Sequence, residues 1–487
     1  MIPMFPFAGL PVAVFGLGRS GLSAAKALVE AEADVWAWDD SEDARAEARK
    51  ADIPLVDLYR CNWRELTTLV LSPGIPQGRP DEHPVVAMAR AAGLEVVGDT
   101  ELLVRSQREA AFIGITGTNG KSTTTALIGH ILQVSGRDAE VGGNLGIPAL
   151  DLDPLGEEGV YVLEMSSFQL ELTVSITFDV AVLLNISPDH LDRHGTMDTY
   201  VAAKRLIFHR QTTPRTAVVG VDDDRSRAVY EDLKAEGDQV VVPVSGTQLI
   251  AGGVYAIDGM LHDDTEGQAV PVLDLKGVPT LPGVHNWQNA AAAYAAAKAA
   301  GTQPNVIMAC IQSYPGLVHR QEQVAVVDGI TYINDSKATN ADAAAKALAC
   351  YDTIYWIAGG RPKEGGLEAL EPHLDRLRHA FLIGEAAEAF AKVLDGRVAA
   401  TLSGTLAAAV EQARERALED GADGAVVLLS PACASFDQFK DFEARGDLFR
   451  DLVEALPGKH EDPDEDNSGA SGDRRTEGAE GAEERKR

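Results

Sequence analysis

Twice in this chain a short apolar run stops at a cluster of glycines and a helix-forming stretch begins at once. The first is Val12-Ala13-Val14-Phe15 leading into Gly16-Leu17-Gly18-Arg19-Ser20-Gly21, with a helix expected over 20–30. The second is the run 111–115 leading into Thr116-Gly117-Thr118-Asn119-Gly120-Lys121-Ser122-Thr123. A strand that passes directly into a helix must cross back to reach its neighbour, so this rhythm implies parallel sheets with helices on their faces. Glycines at such a junction let the backbone turn tightly and let a phosphate approach the helix N-terminus.

Further strands are expected at 34–38, 69–71, 160–163, 180–184, 217–221 and 240–242. The polar, glycine-broken stretch 250–281 reads as a hairpin insertion, and 286–300 reads as a strong helix. A third unit starts near Gly316, where 325–327 and 332–333 flank an Asp328-Gly329 turn. Parallel strands follow at 355–358, 379–383 and 425–429. The 487 residues suit about three domains. The boundaries expected are 1–107, 108–315 and 316–457, with a disordered tail over 458–487, where hydrophobicity vanishes.

Lys and Arg number 43 against 74 Asp and Glu, a net charge of −31. That balance argues against a nucleic-acid partner or a polybasic membrane patch. No apolar run is long enough for a membrane helix, and the N-terminus lacks the marks of a signal peptide. The four cysteines form no C-x-x-C pair, so neither a zinc ribbon nor a disulfide framework is indicated, and a reducing cytoplasm is expected. Residues 459–487 hold ten acids and six bases, so the folded part carries most of the excess. Anionic substrates would have to be held by cations gathered locally, against the field of the whole chain.

The chemistry-bearing residues sit where strands end. Asp39 follows Gly21 by 18 residues and closes the next strand, within reach of a sugar hydroxyl or base. In the second loop, backbone N–H groups would wrap phosphates, Lys121 would reach the β/γ oxygens and Ser122 would offer a hydroxyl to Mg²⁺. Ile115 stands where the strict motif has its first glycine, and Gly117 supplies the flexibility instead. Glu164 ends a strand beside that loop, the place for a magnesium ligand. The turn after strand 180–184 packs five ionisable residues into 189–194. There His190 could bind a metal or position phosphate, while His194 reads as part of a capped surface loop. Lys204, in a helix expected over 200–208, reads as solvated. Asn289 is a poor helix former one turn inside its helix, which hints at a hydrogen bond to a ligand. Polar loops at 334–340, 359–366 and 430–435 follow three strands of one sheet and indicate a cleft. A nicotinamide-dependent oxidoreductase built on Gly16–Gly21 would leave the second glycine loop without a role. A nucleotide-sensing module would bind without turnover.

Taken in order, GLGRSG, SPGI, GITGTNGKSTTT, GGNLGIP, LEMSSFQL, NISPDHLDRHGT, LPGVHNWQN, NDSKATN and SPACASFDQF resemble the Mur ligase family over about residues 10–456. Sibling ligases, folylpolyglutamate synthase included, share the GTNGKS loop but not SPGI and SPACAS together. The resemblance implies an α/β chain of three domains. These are an N-terminal Rossmann-like domain for a uridine nucleotide, a central P-loop ATPase-type parallel sheet for ATP, and a C-terminal Rossmann-like domain for the incoming amino acid. The implied reaction activates the carboxylate of UDP-N-acetylmuramoyl-L-alanine as an acyl phosphate, which the amine of D-glutamate attacks. The implied setting is cytoplasmic peptidoglycan synthesis by a monomer.

Carried onto this chain, the family pattern assigns ATP to Gly117, Thr118, Asn119, Gly120, Lys121, Ser122, Thr123, Asn289, Arg320 and Asp335. It assigns Mg²⁺, two ions in all, to Ser122, Glu164, His190 and a carbamylated Lys204. The UDP-substrate falls to Gly18, Ser20, Gly21, Asp39, Ser72, Gly74, Asn144 and Ser166, and D-glutamate to Lys337, Thr339, Lys363, Ser435 and Phe442. Lys121, Glu164, His190 and Lys204 are the implied catalytic set. Arg19 and Asp40-Ser41 depart from the pattern, which usually has an apolar residue at the first position and Thr-Arg at the second.

Overall fold

The computed structural model describes residues 1–78, 81–362 and 366–461. These build three sheets. The first has strands β1 (Pro11–Phe15), β2 (Asp34–Trp38), β3 (Thr68–Leu71) and β4 (Glu95–Val97), all parallel, in the order β2-β1-β3-β4. Its chain reverses direction across the sheet between β1 and β3, which opens a crevice at their C-terminal ends. The loop 16–21 and the turn 72–76 flank that crevice.

The second sheet has nine strands: β5 (Ala111–Thr116), β6 (Ala139–Gly143), β7 (Val160–Glu164), β8 (Val180–Leu183), β9 (Thr216–Gly220), β10 (Val240–Ser245), β11 (Val254–Ile257), β12 (Met260–Asp263) and β13 (Val270–Asp274). Their order is β13-β12-β11-β10-β9-β8-β5-β7-β6. β5 to β11 run parallel, and β12 pairs antiparallel with both β11 and β13, as the expected hairpin insertion. The central strands are buried end to end, so they read as continuous Val/Ile/Leu runs rather than alternating ones. The alanine-rich helix Val284–Ala299 buries eleven of its residues on this sheet and beside the helix Lys121–Val134. Both sheets belong to one compact unit, Met1–Gly316. Buried Glu101, from the helix Asp99–Ser106 after β4, joins them by accepting the backbone N–H groups of Val174 at 2.9 Å and Ser175 at 3.0 Å.

The second compact unit starts at Leu317. It carries β14 (Glu322–Val327), β15 (Ile330–Asn334), β16 (Ile354–Gly359), β17 (Leu377–Ile383), β18 (Ala400–Gly404), β19 (Val426–Leu429) and β20 (His460–Glu461). The order is β18-β17-β16-β19-β15-β14-β20, parallel except that β14 pairs antiparallel with both β15 and β20. Here the chain reverses between β16 and β19.

Some expectations need correction. The disordered tail was expected from residue 458, whereas Lys459 O accepts Asp328 N–H and Lys459 N–H donates to Asp328 Oδ1, both at 2.9 Å, and His460–Glu461 add a strand to β14. Residues 462–487 lie outside the described residues. Strands β4, β6 and β18 carried no clear signal: β4 has three residues, β6 ends in two glycines, and β18 is a half-exposed edge. The helix expected at 200–208 is Met197–Arg205, started by a reciprocal Thr196/Thr199 cap, followed by a tighter turn over Leu206–Phe208. Among the described residues no helix is long and apolar enough to cross a membrane.

Candidate functional site

The second glycine loop leaves β5 at Thr116 and enters the helix Lys121–Val134 with Gly120 as its left-handed N-cap, φ 84°. A side chain at Gly120 would overlap the Asn289 amide, so Asn289 lies directly against the loop. Asn185, after β8, holds the loop from the other side: its carbonyl accepts Thr118 N–H and its amide oxygen accepts Asn119 N–H, both at 2.9 Å. Two lysines converge on the loop. Lys121 Nζ donates to the carbonyls of Gly117 and Thr118 at 3.0 Å each, and Lys204 Nζ donates to Gly117 O at 2.7 Å.

Lys204 is 1% exposed, which corrects its solvated reading. Its helix turns Tyr200, Ala203 and Lys204 inward, and the Tyr200 ring lies 4.7 Å under the ammonium. Burial, then the neighbouring Lys121 charge, push its pKa well below that of an ordinary lysine, against the pull of Asp189 and Glu164. Tyr200 is itself pushed up to about 12 by burial.

Glu164 ends β7 opposite Ile115 of β5, at the base of the loop. It is 3% exposed, and its Oε1 accepts the Asn144 amide at 2.6 Å. Its Oε2 is buried with no hydrogen-bond partner. A buried carboxylate oxygen left unpaired costs free energy unless something cationic meets it, so the atom fits a metal ion. Ser122, on the first turn of the following helix, is also buried. No three His, Cys, Asp or Glu side chains cluster as a metal site among the described residues. A metal here would therefore draw on a hydroxyl, single carboxylates and the oxygens of its substrate.

Beside the loop lies a cleft of about 450 Å³, lined by Ser20, Ser72 and Gly74 from the first sheet and by Lys121, Asn144, Ser166, His190 and Lys204 from the second. Eight residues singled out in the sequence therefore meet in one place. His190 stands in the left-handed region, φ 52°, half exposed, with its ring edge-on to Phe168 at 5.1 Å. Ser166 caps the short helix Ser167–Leu170 and bonds reciprocally with Gln169. His194 corrects its surface-loop reading. Its side chain is 3% exposed, bonds Ser167 Oγ at 2.9 Å and stacks on Phe168 at 5.3 Å; burial lowers its pKa.

The first glycine loop is shaped by two different demands. A side chain at Gly21 would overlap the carbonyl of Gly16, so that glycine serves the fold. Gly18 has open space on its Cβ side and an ordinary φ of −68°, so nothing in the protein itself requires glycine there. Asp39 is bound into its own loop: it accepts Leu17 N–H at 2.6 Å and Ser41 N–H at 2.7 Å. Asp99, which opens the helix after β4, has its carboxyl buried with one oxygen unpaired, and desolvation pushes its pKa up. Arg19, the departure from the family pattern, lines the cleft.

In the second unit, Asp335 follows β15 and is 7% exposed. Its carboxylate accepts Ser430 Oγ at 2.8 Å and Gln321 N–H at 3.3 Å, and burial raises its pKa to about 7. Lys337 lies 3.8 Å over the Phe442 ring. Ser435 is buried, Thr339 and Arg320 are half-buried, and the loops after β16 and β19 are joined by an Arg361–Ala434 bridge. Lys363 lies outside the described residues. The sequence reading missed Arg445, 1% exposed, which donates to Ser336 Oγ at 2.9 Å, Ser336 O at 2.8 Å and Cys433 O at 3.2 Å. Burial lowers its pKa to about 10. Its partners lie 109 and 12 residues away, beyond any local pattern.

Residues 115–297 match the family model of the Mur ligase middle domain, and 319–433 that of the Mur ligase glutamate ligase domain. The chain is 54% identical over 461 residues to the UDP-N-acetylmuramoylalanine--D-glutamate ligase of Rhodospirillum rubrum, covering 94% of this chain and 97% of that one. It is 52% identical over 462 residues to the protein of the same name in Phenylobacterium zucineum, covering 94% and 98%. Among solved structures, the fold matches UDP-N-acetylmuramate-alanine ligase MurC of Thermotoga maritima and a pseudomurein peptide ligase type C of Methanothermus fervidus. Each has a TM-score of 0.54 at 17% identity, covering 91% of this chain and 99% of the other.

Proposed function

The chain belongs to the Mur ligase family, and from that premise we propose that it joins D-glutamate to UDP-N-acetylmuramoyl-L-alanine with ATP, in cytoplasmic peptidoglycan-precursor synthesis. The observation that carries the reading is the single cleft in which the crevice of the first sheet meets the phosphate loop of the second. Relatives of that name, at half identity or more over nearly their full length, support the same choice among ligases. In this reading residues 1–107 hold the uridine nucleotide, 108–315 the ATP and 316–457 the amino acid, in a monomer.

The uridine diphosphate lies along the N-terminus of the helix Arg19–Glu30, against Gly18, Ser20, Ser72 and Gly74. Its acyl end extends toward Asn144, Ser166 and His190. The ATP phosphates follow the backbone N–H groups of the loop over 117–123, with Asn289, Arg320 and Asp335 around the rest of the nucleotide. Lys121 exchanges its two carbonyl partners for phosphate oxygens and offsets the repulsion between carboxylate and γ-phosphate. Ser122 and Glu164 would hold one Mg²⁺, and His190 with Lys204 a second. When bound, Mg²⁺ supplies charge neutralisation at the transferring phosphoryl group.

Lys204 takes that part as a carbamate: its neutral amine adds CO₂ and releases a proton, turning a cation into an anion. Burial beside Lys121 favours the neutral amine that this needs. The substrate carboxylate then attacks the γ-phosphorus, and ADP leaves. The amine of D-glutamate, held by Lys337, Thr339, Lys363, Ser435 and Phe442, adds to the acyl carbon, and collapse expels phosphate to leave the amide. Water must be kept out while the acyl phosphate lives.

The purified chain is expected to release phosphate from ATP only when UDP-N-acetylmuramoyl-L-alanine and D-glutamate are both present. Equal activity with L-lysine or diaminopimelate in place of D-glutamate would move it to a sibling ligase.

A further inference from the structure

Arg193 lies three residues after His190 and is not among the residues lining the cleft. Its guanidinium instead reaches the turn after β3, on the other sheet. Nη1 donates to Gly74 O at 2.9 Å, and Nη2 donates to Ile75 O at 2.6 Å and Pro73 O at 3.2 Å. Its face rests 4.5 Å above the Phe168 ring. That ring is the one on which His190 stands edge-on and His194 stacks. Partial burial lowers the arginine's pKa, and the nearby charges of Glu171 and Asp192 oppose that fall.

Three successive carbonyls of one turn face one guanidinium. The guanidinium meets this set from two nitrogens fixed in one plane, whereas a lysine would have to reach all three carbonyls from a single nitrogen. The turn it grips presents Ser72, Pro73 and Gly74 to the cleft, while the segment that carries the arginine presents His190. The cleft therefore has walls from two sheets, and Arg193 crosses from one wall to the other behind the lining.

We propose that Arg193 is a positioning residue: it locks the 73–75 turn to the His190 segment, so that the nucleotide end and the acyl end of one substrate are held in a fixed register. This rests on the ligase reading above. Because the guanidinium does not itself line the cleft but holds the lining residues Pro73 and Gly74 from behind, its loss should act on binding of the nucleotide-sugar and leave the ATP loop as it is.

The test is steady-state phosphate release by the full chain with UDP-N-acetylmuramoyl-L-alanine, D-glutamate and MgATP, comparing wild type, Arg193→Ala and Arg193→Lys. In Arg193→Ala the KM for the nucleotide-sugar is expected to rise at least tenfold while the KM for ATP stays within twofold. Added methylguanidinium should recover part of that loss in the alanine variant and none in wild type. Arg193→Lys, which keeps the charge and is the reference should the alanine variant fail to fold, is expected to raise the same KM at least threefold. If the KM for the nucleotide-sugar stays within twofold of wild type in a folded variant, or if all parameters fall together without methylguanidinium rescue, the positioning role is refuted. A wild-type chain that turns over no such substrate refutes the ligase reading instead, which separates the two failures.

Discussion

Asp335 offers the sharpest physical test of the second unit. Its carboxyl is 7% exposed and its pKa lies at about 7, raised by burial from the usual 3.8, with Ser430, the Gln321 N–H and two arginines pulling it back only in part. Between those two values the folded state keeps a proton that the unfolded chain releases. The stabilisation tied to that proton is fully present below about 3.8 and is lost as pH rises through about 7. The gap of about three pH units corresponds to roughly 4 kcal/mol, an upper figure for the whole window. From pH 5 to pH 7 the cost should be on the order of 2 kcal/mol.

Asp335→Asn keeps the shape and the acceptor oxygen for Ser430 but cannot ionise. Urea unfolding followed by tryptophan emission suits this unit, because Trp356 is the one tryptophan from Leu317 onward. Its indole donates to Ser430 O at 2.8 Å, next to the Asp335 partner. Buried histidines such as His319 titrate with the opposite sign, and they are common to both proteins, so the difference between the two curves isolates Asp335. Wild type should lose stability relative to Asp335→Asn as pH rises from 5 to 8. Parallel curves over that range would refute the argument.

Lys121→Ala should abolish ATP-dependent phosphate release with the fold intact, since the loop carbonyls it bonds can turn to water; retained turnover would remove the phosphate-loop assignment. Lys204→Ala should reduce turnover by at least a hundredfold, measured with added bicarbonate, while wild-type activity in that variant would dispose of the carbamate. Gly21→Ala forces a methyl onto the Gly16 carbonyl and should cost roughly 1–3 kcal/mol in thermal or urea unfolding. Gly18→Ala meets open space and should leave stability unchanged while raising the KM for the nucleotide-sugar; an unchanged KM would mean that no diphosphate packs there.

What the sequence made legible was whatever depends on neighbours along the chain. Both glycine loops stand where a strand meets a helix, and Glu164 closes its strand, because turn chemistry is local. Lys204 was legible in principle. Tyr200, Ala203, Lys204 and Ile207 fall at helical spacing and all are buried, so the lysine rides an inward stripe that its charge disguised. His194 was misread for a similar reason, since its burial comes from Phe168 and Ser167, 26 and 27 residues earlier. Arg193 and Arg445 were out of reach: the turn and loop carbonyls that define them lie up to 120 residues away, and a carbonyl has no signature in sequence. The short strands β4, β6 and β18 are held by pairing rather than by propensity.

The place of Lys121 on the floor of the cleft has a kinetic consequence. The chain as a whole carries −31, yet the cleft presents the Lys121 ammonium and the Arg19 guanidinium to any entering phosphate. The acidic surface repels an anionic substrate over tens of ångströms at low ionic strength, whereas these two cations attract it at contact range. Salt shortens the electrostatic reach from about 30 Å at 0.01 M to about 8 Å at 0.15 M. It therefore removes the distant barrier before it weakens the close capture. Capture of anionic substrates should quicken as salt is first added and slow only at higher concentration, the reverse of ordinary electrostatic steering.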